Sequence, residues 1–427
     1  MGGRNRRPPG LLRTARLPGA ARLRATCLVG LAVLGAACAA PFTSSQLPLG
    51  QDIVIGIPLS FTGTVSRESA IAQRGYDLWL DWVNGHGGIR AAGARHMVRV
   101  RYEDDQSKPA LAGQLAEKFI THDHARFLLG PYGSSNTVTV AAVADHYHVP
   151  LISANGSSRV ISGYSYVFNV QTPAPEYLPM IFDLAATMQP RPATVAFLTA
   201  DDFFSLDVTA GAADHAAARG FDVVFRDTYP SGSTNFAALL AQAKAKNPDI
   251  LVNAGHFVEA VALIKAAKDA GLNAKMFAAS VGPALPDFVQ QLGPAADYVL
   301  TSSQWTAQAA YRPSYYLTTR EYVSAYKKKF HVQDEPSYQT ADATAAGLAL
   351  QKAIENADSL DPDKVRDALV SLDVITFFGR IKFSSVGQNA YKPMLIEQIQ
   401  HGSRFTVWPP ERSSAVPLYP APPWIAR

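Results

Sequence analysis

The stretch Arg126–Ser153, RFLLGPYGSSNTVTVAAVADHYHVPLIS, opens on an apolar run, breaks at Gly130-Pro131-Tyr132-Gly133, and ends on a second apolar run, VPLIS. Between the breaks, TVTVAAVADHY is a helix candidate. Two short apolar strands separated by a helix describe a βαβ unit, because parallel strands need a crossover that a hairpin cannot supply. The same rhythm extends in both directions. Candidate strands are IVIGIPL (53–59), MVRVRYED (97–104), RFLLG (126–130), VPLIS (149–153) and YVFNV (166–170). Near-continuous apolar strands point to a parallel sheet covered on both faces. In RGYDLWLDWVNGHGG, Tyr76, Leu80 and Val83 recur at helical spacing until the glycines of GHGG stop the helix. PALAGQLAEKFITHD adds a helix that starts with proline.

A second series follows QTPAPEY, with strands TVAFLTA, FDVVFRDTY, DILVNAG, AKMFAAS and YVLTSS and helices expected at about 207–219, 236–246 and 257–270. Two similar α/β lobes are the expectation. The last section returns to helix and closes on antiparallel-looking strands, GRIKFSS, PMLIEQIQ and RFTVWP. Transitions near 171–175, 301–306 and 374–379 are the places expected for passage between lobes. Lobe 1 is then 52–171 plus 305–374, and lobe 2 is 172–304 plus 375–427.

Length and composition fit two lobes: 427 residues exceed one ordinary core, and 48% hydrophobic with 17% charged residues reads as globular. The net charge of +4 is unevenly distributed. Residues 1–38 hold seven arginines and no acid, which leaves 32 basic against 35 acidic residues, a net −3, for the rest. The basic balance belongs to a leader, so a nucleic-acid role loses its main support. An Arg-rich start, the apolar run CLVGLAVLGAACAA and a polar exit at PFTSSQ have the parts of an export signal over 1–38, with a linker over 39–51. LGAAC resembles a bacterial lipobox, with Gly35 where that pattern usually has Leu, and it makes Cys38 the candidate lipidation site. The only cysteines are Cys27 and Cys38, so the body forms no internal disulfide and any metal would rest on His and carboxylates.

In such sheets ligands sit at strand C-termini, beside helix N-termini. GPYGSSN occupies such a junction, where free N–H groups and the hydroxyls of Ser134 and Ser135 suit an anion. SANGSS, with Asn155, Ser157 and Ser158, ends the next strand and offers a second loop to the same small carboxylate. The plainer reading is that these serines cap helices. A nucleophile is disfavoured because no G-x-S-x-G elbow surrounds Ser134 or Ser135, and a nucleotide cradle because no P-loop motif exists. An exported hydrolase using either serine is the alternative from another class. The pairs His122/His124 and His146/His148 fall near helix ends, where cations are favourable without any metal. Asp104-Asp105 and Asp201-Asp202 follow strands and read as loop caps, and Lys327-Lys328-Lys329 reads as a solvated helix end. Phe203-Phe204 and Trp305 are expected in loops as ligand-facing walls.

The ordered series IVIGIPLSFTG, RGYDLWLDWVNGHGGI, VRYEDDQS, RFLLGPYGSSNT and VPLISANGSS, behind a lipoprotein-like leader, resembles the periplasmic binding proteins of the leucine/isoleucine/valine-binding family. The resemblance covers nearly the whole body. It implies a type I periplasmic binding protein fold, two Rossmann-like lobes on three hinge crossovers, that closes over a small ligand and delivers it to an ABC permease. A ligand sensor coupled to a signalling partner is the alternative use. It implies neither catalysis nor a cofactor, and the site would lie in the periplasm or on the extracytoplasmic face. Carried over, the α-carboxylate loop falls on Tyr132, Gly133 and Ser134, the second loop on Asn155, Gly156 and Ser157, and the covering aromatic on Phe204. The family's ammonium-binding acid falls near Val281 and is missing, while a first-loop tyrosine of the type member aligns near Glu68. A desolvated ammonium without a counter-charge is costly. Either Glu68, Glu176 or Glu259 replaces the lost acid, or the ligand is an aromatic or aliphatic acid, or an amide, without one.

Overall fold

A computed structural model describes residues 47–427, so the expected leader with Cys38 lies outside the described residues. The chain enters β1 (Ile53–Leu59), passes through α1 (Ser66–Gly85) and a small hairpin of β2 (Ile89–Ala91) and β3 (Ala94–His96), and returns beside β1 as β4 (Val98–Asp104). Then come α2 (Pro109–Thr121), β5 (Phe127–Leu129), α3 (Ser134–His146), β6 (Leu151–Ser153) and β7 (Val167–Asn169). These strands form one sheet in the order β4-β1-β5-β6-β7, parallel throughout. β5, β6 and β7 are buried at every position, as a sheet covered on both faces requires.

After α4 (Pro179–Thr187) the second series alternates β8 (Thr194–Ala200), α5 (Phe203–Ala218), β9 (Asp222–Tyr229), α6 (Ala237–Ala245), β10 (Ile250–Ala254) and α7 (Phe257–Asp269). It continues with β11 (Met276–Ala279), α8 (Pro286–Leu292) and β12 (Val299–Ser303). Helices α9 (Thr319–Phe330), α10 (Tyr338–Ala357) and α11 (Pro362–Val370) follow, then the hairpin β13 (Asp373–Thr376) and β14 (Gly379–Lys382). Finally β15 (Leu395–Gln400) and β16 (Ser403–Trp408) join the second sheet antiparallel, giving the order β16-β15-β12-β11-β10-β8-β9. The architecture is two Rossmann-like α/β lobes.

Helix α10 comes late in the sequence yet packs on the first lobe. The Thr344 hydroxyl donates to the Gly75 carbonyl at 2.8 Å, and the Trp79 Nε1–H donates to Gln351 Oε1 at 3.0 Å. Gly75 permits this approach, since a Cβ there would stand 2.0 Å from the Thr340 carbonyl oxygen.

Three chain passages meet at one point between the lobes. The Thr172 N–H donates to Gln304 Oε1 at 3.0 Å, and the Gln304 amide donates back to the Thr172 carbonyl at 3.1 Å. The Thr172 hydroxyl donates to the Lys392 carbonyl at 2.6 Å, and the Lys392 ammonium donates to the Gln304 carbonyl. The first two passages run through Thr172 and Gln304. The third does not lie at 374–379: that segment is the β13–β14 hairpin, whose Phe377 and Phe378 are wholly buried. Gln388 still bridges Asn169 at the end of β7, so the passage runs between there and Leu395.

Two aromatic expectations change as well. Phe203 and Phe204 do not sit in a loop but open α5, because Asp202 caps it by accepting the Ser205 N–H at 3.1 Å. Trp305 is no cavity wall. It is 1% exposed, its ring centroid lies 5.7 Å from Tyr322 and 5.8 Å from Phe377, and its Nε1–H donates to the Phe377 carbonyl at 3.0 Å.

Candidate ligand site

Between the lobes, at the C-terminal ends of strands from both sheets, lies a cavity of ≈ 20 Å³, room for about one water. From the first lobe it is lined by Tyr132, Gly133 and Ser134, which lead into α3, and by Asn155 and Ser157 after β6. Gln171 and Tyr177 reach it from the first passage, and Tyr338 from the start of α10. From the second lobe come Phe204, His256 and Val281, which follow β8, β10 and β11.

The two serine loops are joined directly to each other. Tyr132 and Asn155 form a parallel bridge, and the Gly133 N–H donates to the Asn155 carbonyl at 2.8 Å. Ser134 Oγ accepts the N–H groups of both Ser157 and Ser158 at 3.1 Å. A hydroxyl that accepts twice still has its own proton to donate. Asn155 Oδ1 is buried without a partner, and Ser157 Oγ makes no close hydrogen bond although the Tyr177 hydroxyl stands beside it, a state that native interiors rarely leave unsatisfied. Gly156 does not line the cavity; a Cβ there would stand 2.4 Å from Thr137 Oγ1, so its lack of a side chain is what lets the second loop sit on α3.

The N-termini of α3, α5, α7 and α10 border the space, and their electrostatics differ. Helix α5 is capped by Asp202, and α7 by the other lobe, since its first N–H, from Phe257, donates to Glu68 Oε1 at 3.0 Å. Helix α10 has no side-chain cap, and neither has α3. Its unpaired N–H groups and dipole favour a negative group beside Ser134.

Glu68 is wholly buried, but it is not a lining residue. Burial raises its carboxyl pKa, against the opposing influences of His256 and the Phe257 N–H. Of the other candidate replacements for the missing acid, Glu259 accepts the Gly232 N–H at 2.7 Å, and Glu176 lines an outer groove beside Tyr391 and Lys392. Val281 lines the cavity as expected, and no carboxylate does among the described residues. His256 Nε2 lies 3.2 Å from Asp202 Oδ2. Burial works against the charged imidazole, but Asp202 outweighs it, Glu259 and Glu68 add to the pull, and the pKa stands at about 10. Asp202 is held reciprocally at about 2, burial being overcome by His256 and the Ser205 N–H.

The structure therefore brings together Tyr132, Gly133, Ser134, Asn155, Ser157 and Phe204, and leaves Glu68, Gly156 and Trp305 off the cavity wall. Sequence reasoning missed Gln171, Tyr177, His256 and Tyr338. Among the described residues no cluster of three or more potential metal ligands exists, and no helix is long and apolar enough to cross a membrane. The hydrogen bonds of Ser134 Oγ run to backbone N–H groups, not to a base.

Contacts between the lobes hold this arrangement shut. Asp207 on α5 accepts from the Ser158 hydroxyl at 2.6 Å, from the Arg159 N–H at 2.8 Å and from the Arg159 guanidinium at 2.8 Å. Arg67 pairs with Asp287 across the cleft mouth.

A family model described as periplasmic binding protein matches residues 52–404. A Leu/Ile/Val-binding protein homolog from Brucella abortus is 22% identical over 375 residues, covering 84% of this chain and 91% of its own length. Among solved structures, a leucine-binding protein from Thermotoga maritima superimposes with a TM-score of 0.75 at 21% identity, covering 83% of this chain and 97% of its own. A solute-binding protein of an ABC transporter from R. palustris, in complex with benzoate, gives a TM-score of 0.71 at 18% identity, covering 83% and 95%. With its two-lobed fold and a family match across most of its length, the chain belongs to the periplasmic binding proteins, within the leucine/isoleucine/valine-binding family.

Proposed function

We propose that this protein captures a small carboxylate-bearing solute, an amino acid or an aromatic or aliphatic acid, by closing its lobes over it. Delivery is to an ABC permease in the cytoplasmic membrane, with the export signal placing the protein outside that membrane and Cys38 anchoring it by lipid. The observation that carries this reading is the uncapped α3 N-terminus with the free Ser134 proton and the unpartnered Ser157 Oγ beside it. All three face a buried cavity that two lobes share. A carboxylate satisfies all three at once, and hydrogen bonds to a charged partner are the stronger kind. The neighbour in complex with benzoate and the leucine-binding one both bind carboxylates, which supports the same class.

A thermal-shift screen over amino acids, aromatic and aliphatic acids, amides and the methyl esters of the same acids tests it. Ligand raises stability as RT ln(1 + [L]/Kd), about 2.7 kcal/mol at a hundredfold excess over Kd. At least one acid is expected to raise Tm while its ester does not. Equal shifts from acid and ester, or none from any acid, would contradict the reading.

A further inference from the structure

The carboxylate of Asp207, on α5 of the second lobe, is held by donors from the first lobe. They are the Ser158 hydroxyl at 2.6 Å, the Arg159 N–H at 2.8 Å, and the Arg159 Nε–H and Nη2–H at 3.0 Å and 2.8 Å. Their weights differ. The Arg159 side chain is 65% exposed, and an ion pair in water contributes little. Ser158 is wholly buried, and a buried hydroxyl and a backbone N–H that meet a charge make the stronger kind of hydrogen bond. The plainer reading is local: Ser158 Oγ also accepts the Val160 N–H at 3.4 Å, so Asp207 would only extend the cap of the short turn Arg159–Ile161.

Two observations favour a role between the lobes. The gripped loop is fixed without Asp207, since Ser134 Oγ takes the N–H groups of Ser157 and Ser158, and the Ala174 N–H donates to the Ser157 carbonyl at 2.8 Å. Helix α5 is likewise fixed to β8, where the Thr199 and Thr209 hydroxyls lie 2.8 Å apart. A bond between two fixed bodies sets their relative position and reshapes neither. The second observation is placement. Phe204, three residues before Asp207 and so on the same face of α5, lines the cavity, while Asp207 does not.

Resting on the lobe closure of the proposed function, and not on which solute is captured, we propose that Asp207 is a positioning residue that latches the lobes together. Its grip on Ser158 and Arg159 holds the second serine loop against the helix that brings Phe204 to the cavity. The latch touches no solute; it keeps the two halves of the wall in register.

Hydrogen exchange of the full chain, read residue by residue, tests this in wild type, Asp207→Ala, Asp207→Asn and Arg159→Ala. The reporter is the Phe257 amide, which donates across the cleft to Glu68 at 3.0 Å and belongs to a different helix, α7. The control is the Gly255 amide two residues away, which donates to Ser280 Oγ at 3.0 Å inside the second lobe. Asp207→Ala is expected to speed exchange at Phe257 by at least about 10-fold, the scale of hydrogen bonds lost from a charged group, and to leave Gly255 unchanged. Asp207→Asn, which fills the same space, moves Phe257 in the same direction, and Arg159→Ala, which keeps the backbone N–H, moves it about 2-fold or less. An unprotected Phe257 in wild type, a Phe257 rate unmoved in both Asp207 variants, or equal acceleration at Gly255 overturns the proposal. If acids of the thermal-shift screen bind and Phe257 does not respond, this inference alone fails. If Phe257 responds and no acid binds, the latch holds and the solute reading fails.

Discussion

Ser134 and His256 were unequally visible before folding. Ser134 stands in a loop whose glycines and position after a strand mark it, and the structure places it at the head of an uncapped helix. His256 carries no such mark, because its meaning depends on Asp202, 54 residues earlier in the chain. Asp202 reads as a loop cap, and it is one, but it also holds the imidazole. The pair gives a pH signature. The His256 pKa is raised from 6.5 to about 10, so its contribution to stability is complete below about pH 6.5 and is lost as pH climbs through 10. The Asp202 pKa is depressed from 3.8 to about 2, so its contribution is complete above about pH 3.8 and is lost as pH falls through 2. Asp202→Asn keeps a capping side chain and removes the charge. It is expected to cost about 3 kcal/mol in urea unfolding at pH 6, as breaking a buried ion pair does. The gap to wild type then narrows by pH 9.5; a gap that stays constant would assign the cost to something other than the pair.

Elements were legible where periodicity and punctuation agree. Strand β1 coincides with IVIGIPL and β8 with TVAFLTA, because each run is apolar and buried on both faces. The β2–β3 hairpin is three residues a side and too short to announce itself. The β13–β14 hairpin looks like a crossover because Thr376 and Gly379 punctuate it, yet its turn plugs into the aromatic cluster of Tyr322 and Trp305. The start of α5 had a signal, since Asp202 three residues before Ser205 is an N-cap pattern that the two phenylalanines obscured. The fit of the second serine loop on α3 makes a prediction of its own. Gly156→Ala drives a Cβ onto Thr137 and should cost about 1–3 kcal/mol, the scale of overpacking. Adding Thr137→Ala removes the nearest atom and should recover part of that cost. Additive losses in urea unfolding would contradict the close fit.

For the whole molecule, two-lobed architecture followed from the repeated β/α rhythm, while the position of the third passage and of α10 required three-dimensional contacts. The serine loops and Phe204 were legible because they lie at strand ends. The rest of the wall was not, because Gln171, Tyr177 and Tyr338 come from the hinge and from a helix that packs back across the chain. Closure joins these parts, and on the proposed reading it brings Ser157 to the ligand. Its Oγ is buried and makes no close hydrogen bond, with only the Tyr177 hydroxyl beside it, so Ser157→Ala should change folding stability little. Calorimetric titration of wild type and Ser157→Ala with the acid that binds tightest tests solute capture at this site most directly. An affinity loss of about 1–3 kcal/mol, with unfolding unaltered, is the predicted result for a lost hydrogen bond to a carboxylate. Equal affinity in the two proteins would place the ligand elsewhere and contradict the account.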